Sequence, residues 1–409
     1  VFPIKKDKKE IELSGILLPL LVALFNTLLI VFPTEVIGAA KEGTMLWYNS
    51  VFPSLLPFII GTNLLSGLGL IHFAGTILEP VMYPLFRVPG CGGFALIAGM
   101  TSGYPMGAKI TGQLRETGQL SQAEAQRLIS FCNTSGPLFI VGAVGVGMFG
   151  SAEAGYFMLI IHYAGAFLTG LVFRNYKAGG NRAAPSKKRL IRQAFRSMSN
   201  ARRSDGRSFG KLLGDSVRNA LEAVTQVGGF IILFCVLVRI LEVTNILGLI
   251  CAIMEPAISF IHTNINSAAS AELFEGLLAG LLEMTNGVKM IAADASSPIS
   301  SIHIVVAAAL ISFGGFSIHA QSVNFISKTD IKISAYIFSK ITHGLITIIM
   351  GALLCPFFNF ERSETVTVYN PTDFTGTLFY SSARFMLITA IILSSCVILL
   401  INGSLRRRR

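Results

Sequence analysis

Tryptophan occurs once in 409 residues, and Asp, Glu, Lys and Arg together make up only 13% of the chain, about half the share of an ordinary globular domain. So little charge excludes a soluble multi-domain protein, whose surface needs it, and a disordered tail. Cysteine is sparse as well. Cys91, Cys132, Cys235, Cys251, Cys355 and Cys396 are scattered, with no pair at metal or redox spacing. The six histidines (His72, His162, His262, His303, His319 and His343) also lack ligand spacing. There is no P-loop, no His-Glu-x-x-His segment and no Ser/His or Ser/Lys arrangement at meaningful spacing. Metalloenzyme, hydrolase and ATP-driven machine are thereby left without residues. No catalytic residue, metal or cofactor is expected.

What the chain has is apolar length. Hydrophobic residues make up 52% of it, with 40 Gly and 30 Phe, and the mean hydropathy is +0.64. Runs long enough to cross a bilayer recur at Gly15–Phe32, Ser50–Ile71, Gly155–Phe173, Gly228–Val243, Ile333–Leu354 and Leu378–Ile401. The pattern predicts an all-α polytopic membrane protein.

The net charge of +11 is concentrated. Twelve Lys or Arg between Arg174 and Lys211 face one acid, Asp205, so the remainder of the chain sums to zero. No aromatic interleaving or finger-like spacing supports nucleic acid as the partner. A cytoplasmic loop lying on anionic lipid headgroups accounts for the block. Lys5, Lys6, Lys8 and Lys9 before the first run, with Ala39-Ala40 after it, resemble a secretory signal. The run's length, its Pro19 and the apolar chain beyond it predict an uncleaved first helix instead. With the N-terminus inside, one helix leads out. Three crossings in 50–173 lead to the basic loop, three more in 212–354 lead out, and the last helix returns to Arg406–Arg409. Every strongly basic segment then lands inside. The organisation expected is 1–49 (N-terminus, first helix and outer loop carrying Glu35 and Glu42), 50–173 (repeat one) and 174–211 (basic loop). Beyond these follow 212–354 (repeat two), 355–377 (outer loop) and 378–409 (last helix and basic tail).

The two halves echo one another. Glu79-Pro80 precedes the short apolar stretch Gly92–Gly103, and Glu255-Pro256 precedes Leu273–Asn286. Each half then reaches a small polar motif about 30 residues on, at Asn133-Thr134-Ser135-Gly136-Pro137 and at Ser317-Ile318-His319-Ala320-Gln321. With the charge map, this predicts two inverted-topology repeats containing broken or re-entrant helices, the arrangement that marks transporter binding sites. Between the motifs of the first half, Lys109–Arg127 is too polar to face lipid. It is predicted as a loop followed by a helix capped by Ser121, with Glu124 completing a capping box.

The breaks supply the candidate binding residues: Ser102, Gly103 and Lys109; Asn133 and Ser135; Thr285, Asn286 and Lys289; and Ser317. Hydroxyls, amides and backbone N–H groups at helix ends meet an anion's oxygens without a charge lock. The expectation is one mid-membrane cavity, with Lys109 or Lys289 at its edge. The same glycines also stand at small-xxx-small spacing, Gly99/Gly103 and Gly103/Gly107, which close helix packing alone would require. Glu283 and His319 are the candidates for coupling to a proton or sodium ion, because an intramembrane ionisable residue is costly to keep.

With Ser102–Lys109 and Phe131–Pro137 in view, the chain resembles the sporulation integral membrane protein family of endospore formers, within the nucleoside-recognition gate-domain superfamily. The resemblance spans essentially the whole chain. It implies a fold similar to concentrative nucleoside transporters and a role in the mother cell late in sporulation. It further implies export of dipicolinate, a small aromatic dicarboxylate, across the outer forespore membrane. A transporter of a nucleoside-like solute and a non-transporting membrane scaffold docking through the basic loop are the alternatives. The oligomeric state is not legible.

Overall fold

The computed structural model describes residues 8–177, 190–265, 271–295, 299–358 and 360. Among them every regular element is helical and no strand occurs. The expected last helix and tail at 378–409, nearly all of the expected outer loop, and Cys396 lie outside the described residues.

The first helix, α1 (Lys8–Val31), exposes Leu17, Leu18, Leu20, Leu21 and Leu24 by more than half each, a surface that water would not tolerate but lipid satisfies. Pro33 opens α2 (Pro33–Leu46), bent 101° from α1. Here the structure corrects the sequence reading: Glu35 and Glu42 stand on this helix, not in a short outer loop. The helix α3 (Phe52–Gly67) turns through 83° into α4 (Leu70–Phe86) at Gly69, whose φ of +86° favours glycine.

Two further pieces close the first half. The helices α5 (Cys91–Ser102) and α6 (Met106–Glu116) form a hairpin too short to span. A broken helix then runs from α7 (Gln122–Cys132) through 133–137 into a π-type segment, Leu138–Met148, and the spanning α8 (Ala152–Phe173) follows. The expected capping box is present. Glu124 accepts from the Ser121 N–H at 2.8 Å, and Ser121 Oγ accepts from the Glu124 N–H at 3.4 Å. The expected loop from Lys109 is not: Lys109–Glu116 is the second arm of the hairpin, its apolar face turned inward.

After the amphipathic α9 (Leu190–Asp205), the second half repeats the order: the long α10 (Phe209–Val243), α11 (Ile246–Ile265), a hairpin of α12 (Ala271–Leu282) and α13 (Met284–Asp294), a broken helix of α14 (Ser301–Phe313) and α15 (Gly315–Ile326), and α16 (Ile333–Leu354). Among the described residues four stretches are long and apolar enough to span: Ala152–Phe173, Phe209–Val243, Ser301–Ile326 and Ile333–Phe357. Counting each bent pair as one span gives six.

Exchanging the halves maps the packing onto itself. Helix α6 meets α15 as α13 meets the Leu138–Met148 segment, α7 meets α16 as α14 meets α8, and α8–α16 and α3–α10 are self-paired. This approximate twofold places both hairpins and both broken helices at the centre. The glycines permit the closeness. A Cβ on Gly99 or Gly107 would stand about 2 Å from the Cys132 carbonyl oxygen, so close packing accounts for these two positions.

Candidate functional site

All four chain breaks converge. Gly103, at φ +84° and ψ −174°, ends α5, and a Cβ there would lie 2.6 Å from the Gly136 nitrogen. The break between α14 and α15 is Gly314–Gly315, with φ of +99° and +66°. A Cβ on Gly315 would lie 2.8 Å from the Gly280 carbonyl oxygen and 3.2 Å from the Met284 nitrogen. In each half, then, the hairpin break rests on the broken helix through backbone.

The break in the second hairpin is at Glu283; the expected break residues Thr285 and Asn286 lie inside α13, as does Gly287, which packs on Gly280. Glu283 is extended (φ −130°, ψ 107°), and its carboxylate accepts from the Asn286 N–H at 2.8 Å, capping α13. Glu283 thus stands at the place that the Ser102–Pro105 break holds in the first half. The third expected break moves likewise, from Ser317 to Gly314–Gly315, because only glycine takes two successive positive φ angles cheaply.

Between the breaks lies a cavity of about 420 Å³. Its polar lining comes from Asn49, Ser102, Gly103, Tyr104, Ser135, Gly136, Glu283, Thr285 and Gln321. Its apolar walls include Leu55, Leu138, Phe139, Val227 and Ile231. Ser102 lines the cavity, and its Oγ is buried without a hydrogen-bond partner.

The structure does not bring all expected residues here. Asn133 is a brace: its Oδ1 accepts from the Ala108 N–H at 3.2 Å, and its amide gives to Ser322 Oγ at 2.9 Å and Tyr336 Oη at 3.0 Å. That leaves no donor for a solute. Ser317 is buried within α15, 3.4 Å from Gln321 Nε2. Lys109 is buried elsewhere, its Nζ 6.0 Å above the Phe325 ring. Asn286 and Lys289 line a second cavity of about 500 Å³ beside Glu35, Glu42, Arg239 and Glu242. His319 is held among the rings of Phe313 and Tyr336 and is not part of the lining.

Behind the cavity runs a buried network that sequence spacing did not reveal. Ser135 N–H donates to His162 Nε2 at 3.1 Å, so the His162 proton sits on Nδ1 and goes to Ser312 Oγ at 2.7 Å. The Thr347 hydroxyl gives to the His343 carbonyl at 2.9 Å, which leaves Ser312 to donate to Thr347 Oγ1 at 3.0 Å. His343 Nε2 donates to the His162 carbonyl at 2.8 Å, so its Nδ1 accepts, and Lys340 Nζ stands 3.2 Å away. Lys340 also donates to the Asn133 carbonyl at 2.7 Å. The available signal was a lysine and a histidine inside the apolar run Ile333–Leu354.

Comparison with known proteins agrees with the resemblance. A family model described as Gate, nucleoside recognition, matches residues 49–152. The chain is 38% identical over 326 residues to the sporulation integral membrane protein YlbJ of Bacillus subtilis (strain 168), covering 79% of this chain and 78% of that protein. Among solved structures, a doubly substituted CNTnw in an outward-facing state aligns at 13% identity. Its TM-score is 0.35, over 86% of this chain and 88% of that one.

Proposed function

The chain belongs to the sporulation integral membrane protein family, and on that premise we propose that it is a secondary transporter of a small organic anion, dipicolinate in the first instance. The reading includes export from the mother cell across the outer forespore membrane. The observation that carries it is the cavity at the convergence of four breaks. Non-helical backbone at that depth has to line something, since lipid leaves its N–H and C=O groups unsatisfied. The apolar walls suit a flat ring, and Ser102, Ser135, Thr285 and Gln321 suit carboxylate oxygens, with no Lys or Arg to prevent release. The site binds and passes its solute without bond-making chemistry. Proton or sodium coupling supplies the driving force, and anionic lipid under the arginines of α9 anchors the basic face.

Glu283 favours a second reading. Its carboxylate on the lining disfavours a dianion beside it and suits a neutral hydroxyl-bearing solute of nucleoside type. One experiment separates the two: uptake of labelled dipicolinate and of labelled uridine into proteoliposomes under defined pH and sodium gradients. Saturable dipicolinate uptake supports the first reading and saturable uridine uptake the second. Neither solute moving would leave the scaffold alternative.

A further inference from the structure

Lys340 lies in the middle of α16 with no exposed surface, and among the described residues no carboxylate lies within ion-pair distance of it. Burying a lysine this way is costly unless the position is used. Its Nζ has two acceptors, the Asn133 carbonyl at 2.7 Å and His343 Nδ1 at 3.2 Å. A neutral amine has two N–H bonds, so that form pairs both. An ammonium carries a third, and the one group left to receive it is the face of Tyr104, whose ring centroid is 5.3 Å away.

We propose that Lys340 is the binding site for the coupling proton, and that proton occupancy there is linked to occupancy of the cavity by an anion. The titratable groups facing it are Cys132 on α7, His162 on α8, His319 on α15, Tyr336 and His343 on α16 itself, and Tyr104 at the hairpin break. None is an acid that would hold a permanent ion pair. The neighbouring histidines are poor alternatives. A proton added to His162 Nε2 would displace the Ser135 N–H, and one added to His343 Nδ1 would displace the Lys340 N–H. Lys340 takes a proton without breaking a bond. His319 shares that freedom through its unpartnered Nε2, but its ring packs on Phe313 and Phe316 at the Gly314–Gly315 break and is not part of the cavity lining.

Position makes the linkage. Tyr104, on which the added charge bears, lines the cavity, and the carbonyl that Lys340 holds belongs to Asn133, two residues from Ser135 on the same lining. A proton on Lys340 places a cation directly behind the cavity wall and favours an anion in front of it. By reciprocity the anion favours the proton.

The inference rests on the transporter reading, so the test has two arms. In the first, dipicolinate is the probe, and uptake driven by a pH gradient is divided by exchange at equal pH in proteoliposomes of the full chain. One proton per solute gives the wild type about tenfold accumulation per pH unit. Lys340→Met and the permanently charged Lys340→Arg should bring the ratio to one. A ratio unchanged in both, or one abolished by His319→Gln while the Lys340 variants keep it, overturns the proposal. The second arm needs no solute. The ¹⁵N-lysine NMR signal that disappears in Lys340→Gln should switch between amine and ammonium within the pH range over which the protein stays folded. A signal fixed in either form overturns the proton site even if the protein transports. A switching signal in a protein that moves no dipicolinate refutes the substrate and leaves the proton site standing.

Discussion

Gly103 and Gly136 meet backbone to backbone, joining the first hairpin to the first broken helix with no room for a side chain on Gly103. At φ +84° that residue is also strained for any L side chain. Gly103→Ala should therefore separate the two breaks and lower both thermal stability and solute affinity. Gly118→Ala is the control, since it shares a positive φ of +72° but has nothing within 4 Å of the added methyl. Melting temperatures of the two purified variants decide it: equal losses would mean that conformation alone matters and the contact does not.

The two halves are also tied at the surface. Arg115 on α6 forms a bidentate ion pair with Asp330, in the turn before α16, at 2.7 and 2.9 Å, and Gln126 exchanges hydrogen bonds with the Lys332 backbone. Hydrogen bonding to Arg115 holds the Asp330 carboxyl below its usual range. The stabilisation is therefore full above the unfolded value near pH 4 and is lost as pH falls through the lower folded value. Asp330 is half exposed, so the pair contributes no more than about 1 kcal/mol. Asp330→Asn should lower the melting temperature slightly at neutral pH, and the difference from wild type should vanish once the pH has fallen below the lowered value of the folded carboxyl. A difference that persists at that pH would assign the effect to the turn's backbone.

How much of this was legible in the sequence depends on which force fixes each feature. Hydropathy and charge gave the polytopic class, and Glu-Pro followed by a short apolar stretch located both hairpins. The capping box read correctly at Ser121 because it is local. Composition points to Thr285-Asn286 rather than to Glu283, because these small polar residues, followed by Gly287, imitate a break. In the structure those residues sit inside α13, where Gly287 serves packing against Gly280. Asn133 and Lys109 were read as ligands from residue type. Whether a buried amide faces a cavity or a neighbouring helix is decided by long-range partners, here Ser322 and Tyr336, which spacing along one chain cannot supply. The network of His162, His343 and Lys340 joins α8 to α16 across 181 residues, reaches Asn133 across 207 and leaves no local pattern.

Sidedness follows from the basic segment. The helix α9 buries Ala194 and sets Phe195 edge-on to Phe73 of α4 at 5.0 Å, while Arg192 and Arg196 are exposed. A basic amphipathic helix of this kind is expected in the headgroup plane of the inner leaflet. On a cysteine-free background, Ser199→Cys should react with membrane-impermeant reagents only from the cytoplasmic face. Labelling from outside would overturn the topology and with it the inverted relation of the two halves.

The cavity itself makes the sharpest demand. Ser102 lines the space and its Oγ is buried without a partner, so Ser102→Ala removes a donor that the empty fold does not use. Stability should hold or rise slightly, since an unsatisfied hydroxyl is costly, while solute affinity should fall by about 5- to 150-fold for one lost buried hydrogen bond of about 1–3 kcal/mol. Opposite effects on stability and binding distinguish a ligand donor from a structural one. Asn133→Ala should do the reverse, because it strips three bonds from the brace: the fold weakens first, and binding follows. Asn286→Ala should leave affinity unchanged, since that side chain faces the second cavity and contacts Cys235 Sγ at 3.4 Å. Glu283→Gln fixes the sign of the solute's charge. It removes a negative charge from the lining and keeps the cap's acceptor oxygen, so an anion should bind more tightly and a neutral hydroxyl-bearing solute more weakly. Calorimetry of these four variants with dipicolinate and with uridine gives the pattern, and Ser102→Ala binding as wild type would mean that this cavity is not where the solute sits.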